Sequence, residues 1–262
     1  MGTFSVAAFV ATLVAVGASS ATADDSLSGA TYRVGIAQVD VTPTTPIRLN
    51  GFGGRRNEAS ETGERIAATA MAIASEQGEP IVLVTLDNLG IRMTMVDEVA
   101  RRVAESHGLA AERLSIAFTH SHCTPKVDGA CDTIFSTPIP EEHQQRISAY
   151  TAKLTDDLTS VVRQALDTMT PSKLAWSVGS VGFAMNRRMA GGPVDHSLPV
   201  LAVFGLDGSL RAIHTTYACH CVTLSYDKVN GDWAGYARIA IERRHPGCRG
   251  LISIGCGSDS NP

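Results

Sequence analysis

The sequence predicts an α/β protein, a layered mixed β-sheet with flanking helices, and three observations carry that prediction. Short runs such as Ile81-Val-Leu-Val-Thr-Leu86 and Gly250-Leu-Ile-Ser-Ile254 are apolar almost throughout, as strands buried on both faces are. Between such runs lie stretches with apolar residues at helical spacing, the longest at 141–169. Turn signals such as Asp207-Gly208 fold neighbouring strands into hairpins. Strands alternating with helices bury their apolar faces by layering helix on sheet.

In chain order, residues 32–41 alternate as a strand and stop at Thr42-Pro-Thr-Thr-Pro46. A glycine-rich stretch follows, Arg48-Leu-Asn-Gly-Phe-Gly-Gly-Arg-Arg56. It suits a loop lining a site, since glycine allows positive φ and close backbone approach, and suits a flexible surface turn about equally. Residues 66–75 and 80–87 read as a hairpin across Glu76-Gln-Gly-Glu79, delivering Asp87 at its end as a turn residue. Val96, Val99 and Val103 give a helix over 95–106 that closes at His107-Gly108. Ser115-Ile-Ala-Phe-Thr-His-Ser-His-Cys123 is a further strand, in which Ile116, Phe118, His120 and His122 share a face. The helix at 141–169 carries the stripe Ile147, Tyr150, Leu154, Leu158 and Val161, with His143 on its solvated side. Strands are expected at 173–181, 198–204 and 210–219. A helix over 233–244 is capped by Asp232 and closed by His245-Pro-Gly247, and the strand 250–254 leads into Gly255-Cys-Gly-Ser-Asp-Ser-Asn-Pro262.

The 262 residues are enough for one large domain, and 44% hydrophobic with 18% charged residues is a globular composition. A net charge of −4 without a cluster of Lys and Arg argues against nucleic acid as a partner. Residues 4–21 are small and apolar and precede Ala21-Thr-Ala23, so 1–23 reads as a secretory leader and 24–262 as the exported domain, periplasmic or extracellular. Export would place six cysteines in an oxidising compartment, where disulfides or buried thiols are favoured over metal ligation, even for Cys219 and Cys221 on either side of His220.

Chemistry concentrates where strands end, because open α/β sheets gather reactive groups beyond their C-terminal strand ends. His120 and His122 follow one strand and His220 another, and imidazoles from separate strands are how a zinc site is built. His214, six residues upstream of His220, lies about 20 Å away along an extended strand and reads as structural. Ser260, with Ser258 as rival, sits in a glycine-rich turn able to present a hydroxyl or backbone donors.

Several motifs in one order resemble the neutral/alkaline non-lysosomal ceramidase family: Val34-Gly-Ile-Ala-Gln-Val-Asp-Val-Thr-Pro43, Thr-His-Ser-His at 119–122, Asn186-Arg187, Cys-His-Cys-Val-Thr-Leu at 219–224, Asp232-Trp-Ala-Gly-Tyr236 and the 255–262 loop. The resemblance implies a Zn²⁺-dependent amidase that cleaves the N-acyl bond of ceramide or a related lipid amide, meeting its substrate at a membrane surface. It implies His120 and His220 as zinc ligands, His122 and Arg187 as site residues, and Ser260 as the nucleophile when Gly257 is held in register. The family reads Ser-Gly-Pro-Gly after the second histidine, where this chain has Cys123-Thr-Pro-Lys126, and Ser-Pro-Asn at the serine, where this chain has Ser260-Asn-Pro262. With Pro262 in register instead, Asn261 takes the serine's place. The family's other two zinc ligands, a glutamate and a tyrosine, lie downstream of this loop, so the chain is expected to be the N-terminal portion of the catalytic domain. Two other readings stay open: hydrolysis of another amide or ester, and an inactive binding domain.

Overall fold

A computed structural model describes residues 29–262. The expected leader at 1–23 lies outside the described residues. Among them, no helix is long and apolar enough to cross a membrane.

The α/β expectation holds. Eight strands form one mixed sheet: β1 (Tyr32–Asp40), β2 (Ala67–Ser75), β3 (Ile81–Leu86), β4 (Leu114–Phe118), β5 (Thr170–Ser180), β6 (Ser197–Gly205), β7 (Leu210–Tyr217) and β8 (Arg249–Ile254), in the order β8-β7-β6-β5-β1-β2-β3-β4. Only β3–β4 and β7–β8 pair in parallel. Each of these pairs is joined through a helix, α1 (Met93–His107) in the first and α3 (Asp232–Arg244) in the second, as parallel crossovers require. α2 (Glu141–Asp167) lies on β1 and β2 and packs against α1.

Local sequence explains each of these helices. Gly108, at φ 68°, ends α1 with its amide donating to the Ala104 carbonyl. α2 buries the apolar stripe read from its sequence, and the Tyr150 hydroxyl donates to the Val41 carbonyl at 2.8 Å. A Cβ at Gly35 would lie 1.7 Å from the Ala165 carbonyl oxygen, so glycine alone lets α2 sit this close to β1. α3 departs from its expected start. Asp232 is the helix's first residue, at φ 55°, and its carboxylate accepts the first-turn amide of Trp233 at 2.7 Å together with the amides of Thr223 and Leu224.

Histidine placement depends on the sheet folding back on itself. β1 pairs with β2 along its whole length but with β5 over residues 32–34 alone, and the sheet parts there. β8, at one edge, then reaches β2, β3 and β4 near the other. Val34, Met71, Val203, Ala212 and Leu251 fill the space between the halves.

A buried polar network crosses the same closure. Asp87, the residue after β3, accepts the Ala67 amide at 3.0 Å and pairs with Arg238 of α3 at 3.4 Å, and both side chains are under a tenth exposed. Arg238 also donates to the Arg65 carbonyl at 2.9 Å and pairs with Glu242, which accepts Gln38 of β1 at 2.6 Å and the Gly250 amide of β8 at 3.3 Å. Burial raises the Asp87 pKa while the Arg238 charge opposes that rise. Asp87 is therefore not the turn residue the sequence suggested but a buried anchor between the sheet and α3.

Removing one member of a buried ion pair strands the other charge, at a cost of about 3–5 kcal/mol. Asp87→Ala is expected to lose stability on that scale in urea unfolding. A loss within about 0.5 kcal/mol, the range of ordinary surface changes, would show that the network does not hold the closure.

Candidate metal centre

The two parallel units bring their strand ends together, and three imidazoles meet there. Ring centroids of His120, His122 and His220 lie 5.1, 4.8 and 5.3 Å apart in pairs, each pair edge to face. One nitrogen from each falls within 4.8 Å of the others. A tetrahedral zinc with Zn–N of about 2.0–2.1 Å places nitrogens about 3.3 Å apart, so modest ring rotation would bring all three onto one ion.

The local geometry differs from the extended strand read from sequence. β4 ends at Phe118, and His120 takes φ 55°, a left-handed conformation uncommon for a residue with a side chain. The imidazoles converge through a turn, not by strand alternation. That turn is braced from within: the Thr119 and Ser121 hydroxyls bond at 2.9 Å, Ser121 donates to the Gly231 carbonyl at 2.7 Å, and Thr124 donates to the Ser121 carbonyl at 2.8 Å.

Each histidine has its own support. His120 must donate its Nδ1 proton to the Leu89 carbonyl, 2.8 Å away, because a carbonyl only accepts; the neutral ring then keeps its lone pair on Nε2. His220 is fixed through its backbone, where its carbonyl accepts the Trp233 indole N–H at 3.0 Å and its amide donates to the Ser260 carbonyl at 2.9 Å. The His122 amide donates to the Cys221 carbonyl at 3.2 Å, joining the two histidine loops, but both of its ring nitrogens are buried without a hydrogen-bond partner. An orphaned buried imidazole asks for a reason. A bound cation supplies one.

The electrostatics favour neutral rings. Burial is the first cause for all three depressed pKa values, and His122 is pushed down to about 4, with the neighbouring imidazoles and Arg55 adding to the effect. The donor set, three neutral imidazoles with at least one free lone pair fixed by a carbonyl, fits zinc.

The glycine-rich stretch is a wall of this site and not a free turn. Its chain runs beside the histidine turn, with the Asn50 amide donating to the Thr124 carbonyl at 3.0 Å. Gly51, at φ 94°, lies against His122, where a Cβ would meet the ring at 2.7 Å, and the Phe52 ring stands edge-on to it at 5.0 Å.

Arg187 is exposed, and its charge also disfavours protonation of His120 and His220. Its amide donates to the Asp259 carbonyl at 2.8 Å, and Ser260 pairs with Asn186 in a short antiparallel bridge, so the arginine and serine segments enter the site together. Ser260 is buried; Ser258 is exposed. His214 instead bonds Ser253 at 2.6 Å, outside the cluster.

All six cysteines are free, which corrects the disulfide expectation and keeps the buried-thiol one for Cys123, Cys219, Cys221 and Cys248. Burial raises the Cys221 thiol pKa and pushes Cys219 up to about 12, and neither joins the group of converging histidines. Sequence reasoning read Asp232 only as a helix cap and missed its hold on the loop after His220. Its carboxylate accepts the amides of Thr223 at 3.2 Å, Leu224 at 2.8 Å and Trp233 at 2.7 Å, shaping the loop after His220. Its left-handed backbone left no signal in a single sequence.

An α/β protein with histidines gathered at parallel strand ends is the class that fold and site define. No protein-family model matches the chain, and no curated protein matches its sequence. Among solved structures, neutral ceramidase from Pseudomonas aeruginosa aligns with a TM-score of 0.76 and 19% identity over 89% of this chain and 40% of that chain. A ceramidase complexed with C2 aligns with the same score and identity over 89% of this chain and 39% of its own. The chain has the fold of part of a neutral ceramidase and spans about 40% of that protein's length.

The depressed histidine pKa values fix the sign of a pH effect. Between the ordinary histidine value of about 6.5 and about 4 for His122, the unfolded chain binds more protons, so the folded state gains stability as pH rises. That stability is present above pH about 6.5 and is lost as pH falls through the folded values. The chelator-treated protein should melt at progressively lower temperature from pH 6.5 to 4, and His122→Gln should flatten the slope. Parallel slopes for the two proteins would refute the assignment.

Proposed function

We propose that the chain carries the zinc-binding part of a hydrolase that cleaves the N-acyl amide bond of ceramide or a related lipid amide, releasing a sphingoid base and a fatty acid. The observation that carries this reading is the convergence of His120, His122 and His220 from two parallel strand units. Further support comes from the likeness in fold to proteins described as neutral ceramidase and as ceramidase complexed with C2.

In this reading His120 and His220 hold the metal, and His122, the third imidazole of the cluster, orients a ligand or carries a proton. Zinc bound there supplies a Lewis acid for the acyl carbonyl and a water whose pKa falls to about 7. Arg187, whose charge reaches the histidines from the open side, holds a substrate oxygen. Ser260 attacks the acyl carbon or donates to the oxygen of the tetrahedral intermediate, from a segment held to His220 by its own carbonyl. The amide nitrogen must take a proton as it leaves, and His122, neutral at the start, can accept one from the attacking hydroxyl and hand it on to the nitrogen. The substrate is drawn from a lipid surface, and the protein meets it after export.

Two measurements on the full chain test this. Metal analysis after dialysis should find zinc in the wild-type chain and in Ser260→Ala, and little in His120→Ala or His220→Ala. A panel of N-acyl amides with sphingoid and other head groups should show turnover that Ser260→Ala abolishes. Zinc content and turnover unchanged in His120→Ala would end the metal reading. Turnover confined to non-sphingoid amides or esters would move the substrate class, and zinc retained without turnover of any panel member would favour a binding domain.

A further inference from the structure

Arg55 lies outside the proposed chemistry yet is bonded to every loop around His122. Its side chain is 6% exposed. One terminal nitrogen donates to the carbonyls of both Asn50 and His122, and the other donates to the Tyr226 carbonyl at 3.0 Å and faces the Cys123 sulfur at 3.5 Å. Its Nε pairs with Asp227 at 3.2 Å. The guanidinium also lies 4.8 Å over the centre of the Phe52 ring, and that ring stands edge-on to His122. Three loops thus end on one planar cation: the glycine-rich loop, the histidine turn and the segment after His220.

Such a fork is directional. Arginine presents its N–H groups in a fixed plane, which three carbonyls from different loops can share, and lysine carries one rotatable ammonium that cannot reproduce the pattern. His122 needs a holder of this kind. His120 is held through its ring by Leu89 and His220 through its backbone by Trp233, whereas the His122 ring nitrogens make no well-formed hydrogen bond and only the Gly51 backbone acts on them.

We propose that Arg55 is the positioning residue for His122, keeping its imidazole turned into the cluster by fixing the His122 carbonyl and seating Phe52 against the ring. It touches neither of the other two imidazoles, so its effect falls on His122 alone. The inference concerns the chain's own packing and stands whether or not a metal binds.

Histidine reactivity reads this directly without activity or metal. The full chain, kept in chelator at neutral pH, is treated with diethyl pyrocarbonate, and carbethoxylation of each histidine is followed by mass spectrometry. In the wild type His122 should react slowly, because both its ring nitrogens are buried. In Arg55→Met, with a circular dichroism spectrum matching the wild type, His122 should react at least about tenfold faster, the change expected when a hydrogen bond to a charged donor is lost. His120 and His220 should stay within about twofold. Arg55→Lys, which keeps the charge, should fall between the two and serves as the reading if Arg55→Met does not fold. An unchanged His122 rate in the folded variant, or equal acceleration of all three histidines, would overturn the proposal. The second outcome would show Arg55 to be a general structural clamp.

Discussion

The site depends on one closure: the fold-back of the sheet at β1, fastened by the buried network from Asp87 through Arg238 and Glu242 to Gln38. His120 follows the edge strand β4, and His220 follows β7, next to the opposite edge. In a flat eight-stranded sheet, with strands about 4.7–4.9 Å apart, those two strands would lie roughly 30 Å from each other. Ring centroids 4.8 Å apart are possible only because β8 comes across to β2, β3 and β4. The apolar fill between the halves drives that approach, and the polar network fixes its register, since the Asp87–Arg238 and Arg238–Glu242 pairs form in one arrangement of α3 against the sheet.

The closure also sets the electrostatics. Bringing three imidazoles together under cover removes them from water, and a charged ring is then penalised both by lost solvation and by its neighbours. The rings stay neutral at pH 7, the state in which nitrogen has a lone pair to give. Arg55 and Arg187 add positive charge that further disfavours protonation of the cluster. A divalent cation in the same space would feel that repulsion too, so the centre as it stands has neutral donors and no carboxylate to offset an ion's charge. An anionic ligand, or an acyl oxygen developing negative charge, would complete the balance.

Most of the fold was legible in the sequence because it rests on periodicity. Apolar runs at 81–86 and 250–254, the long stripe through Leu154 and Leu158, and the stop at His107-Gly108 are local signals, and the structure follows them to within a few residues. The meeting of His120 with His220 was suggested by both following strands, yet the curl that joins them comes from long-range packing that no local pattern encodes. The errors share one cause. Asp87 and Asp232 carry ordinary turn and cap chemistry in the sequence, and only burial beside Arg238 or a left-handed backbone turns them into anchors. Arg55 looked like one of two adjacent arginines in a glycine-rich turn, and nothing in Gly-Gly-Arg-Arg separates a buried fork from its exposed neighbour Arg56. The cysteines misled in the opposite direction, because an even count in a chain read as exported invites pairing while their positions place them as separate thiols.

The choice between Ser260 and Ser258 turns on backbone coupling more than on exposure. Ser258 is exposed, whereas Ser260 gives its carbonyl to the His220 amide and pairs with Asn186, the residue before Arg187. Any shift of the Ser260 segment therefore moves His220 and Arg187 with it. Gly257 makes that arrangement possible. A Cβ there would lie 2.4 Å from the Cys219 amide nitrogen, so only glycine lets the terminal loop lie on the chain just before His220. The serine, the arginine and the histidine are thus one mechanical unit, tied together by backbone hydrogen bonds. That unit meets the His120 and His122 turn through the bond from the His122 amide to the Cys221 carbonyl, and the segment after His220 is tied to the same turn by Ser121 donating to the Gly231 carbonyl and by the Asn230 amide donating to the Cys123 carbonyl at 2.8 Å.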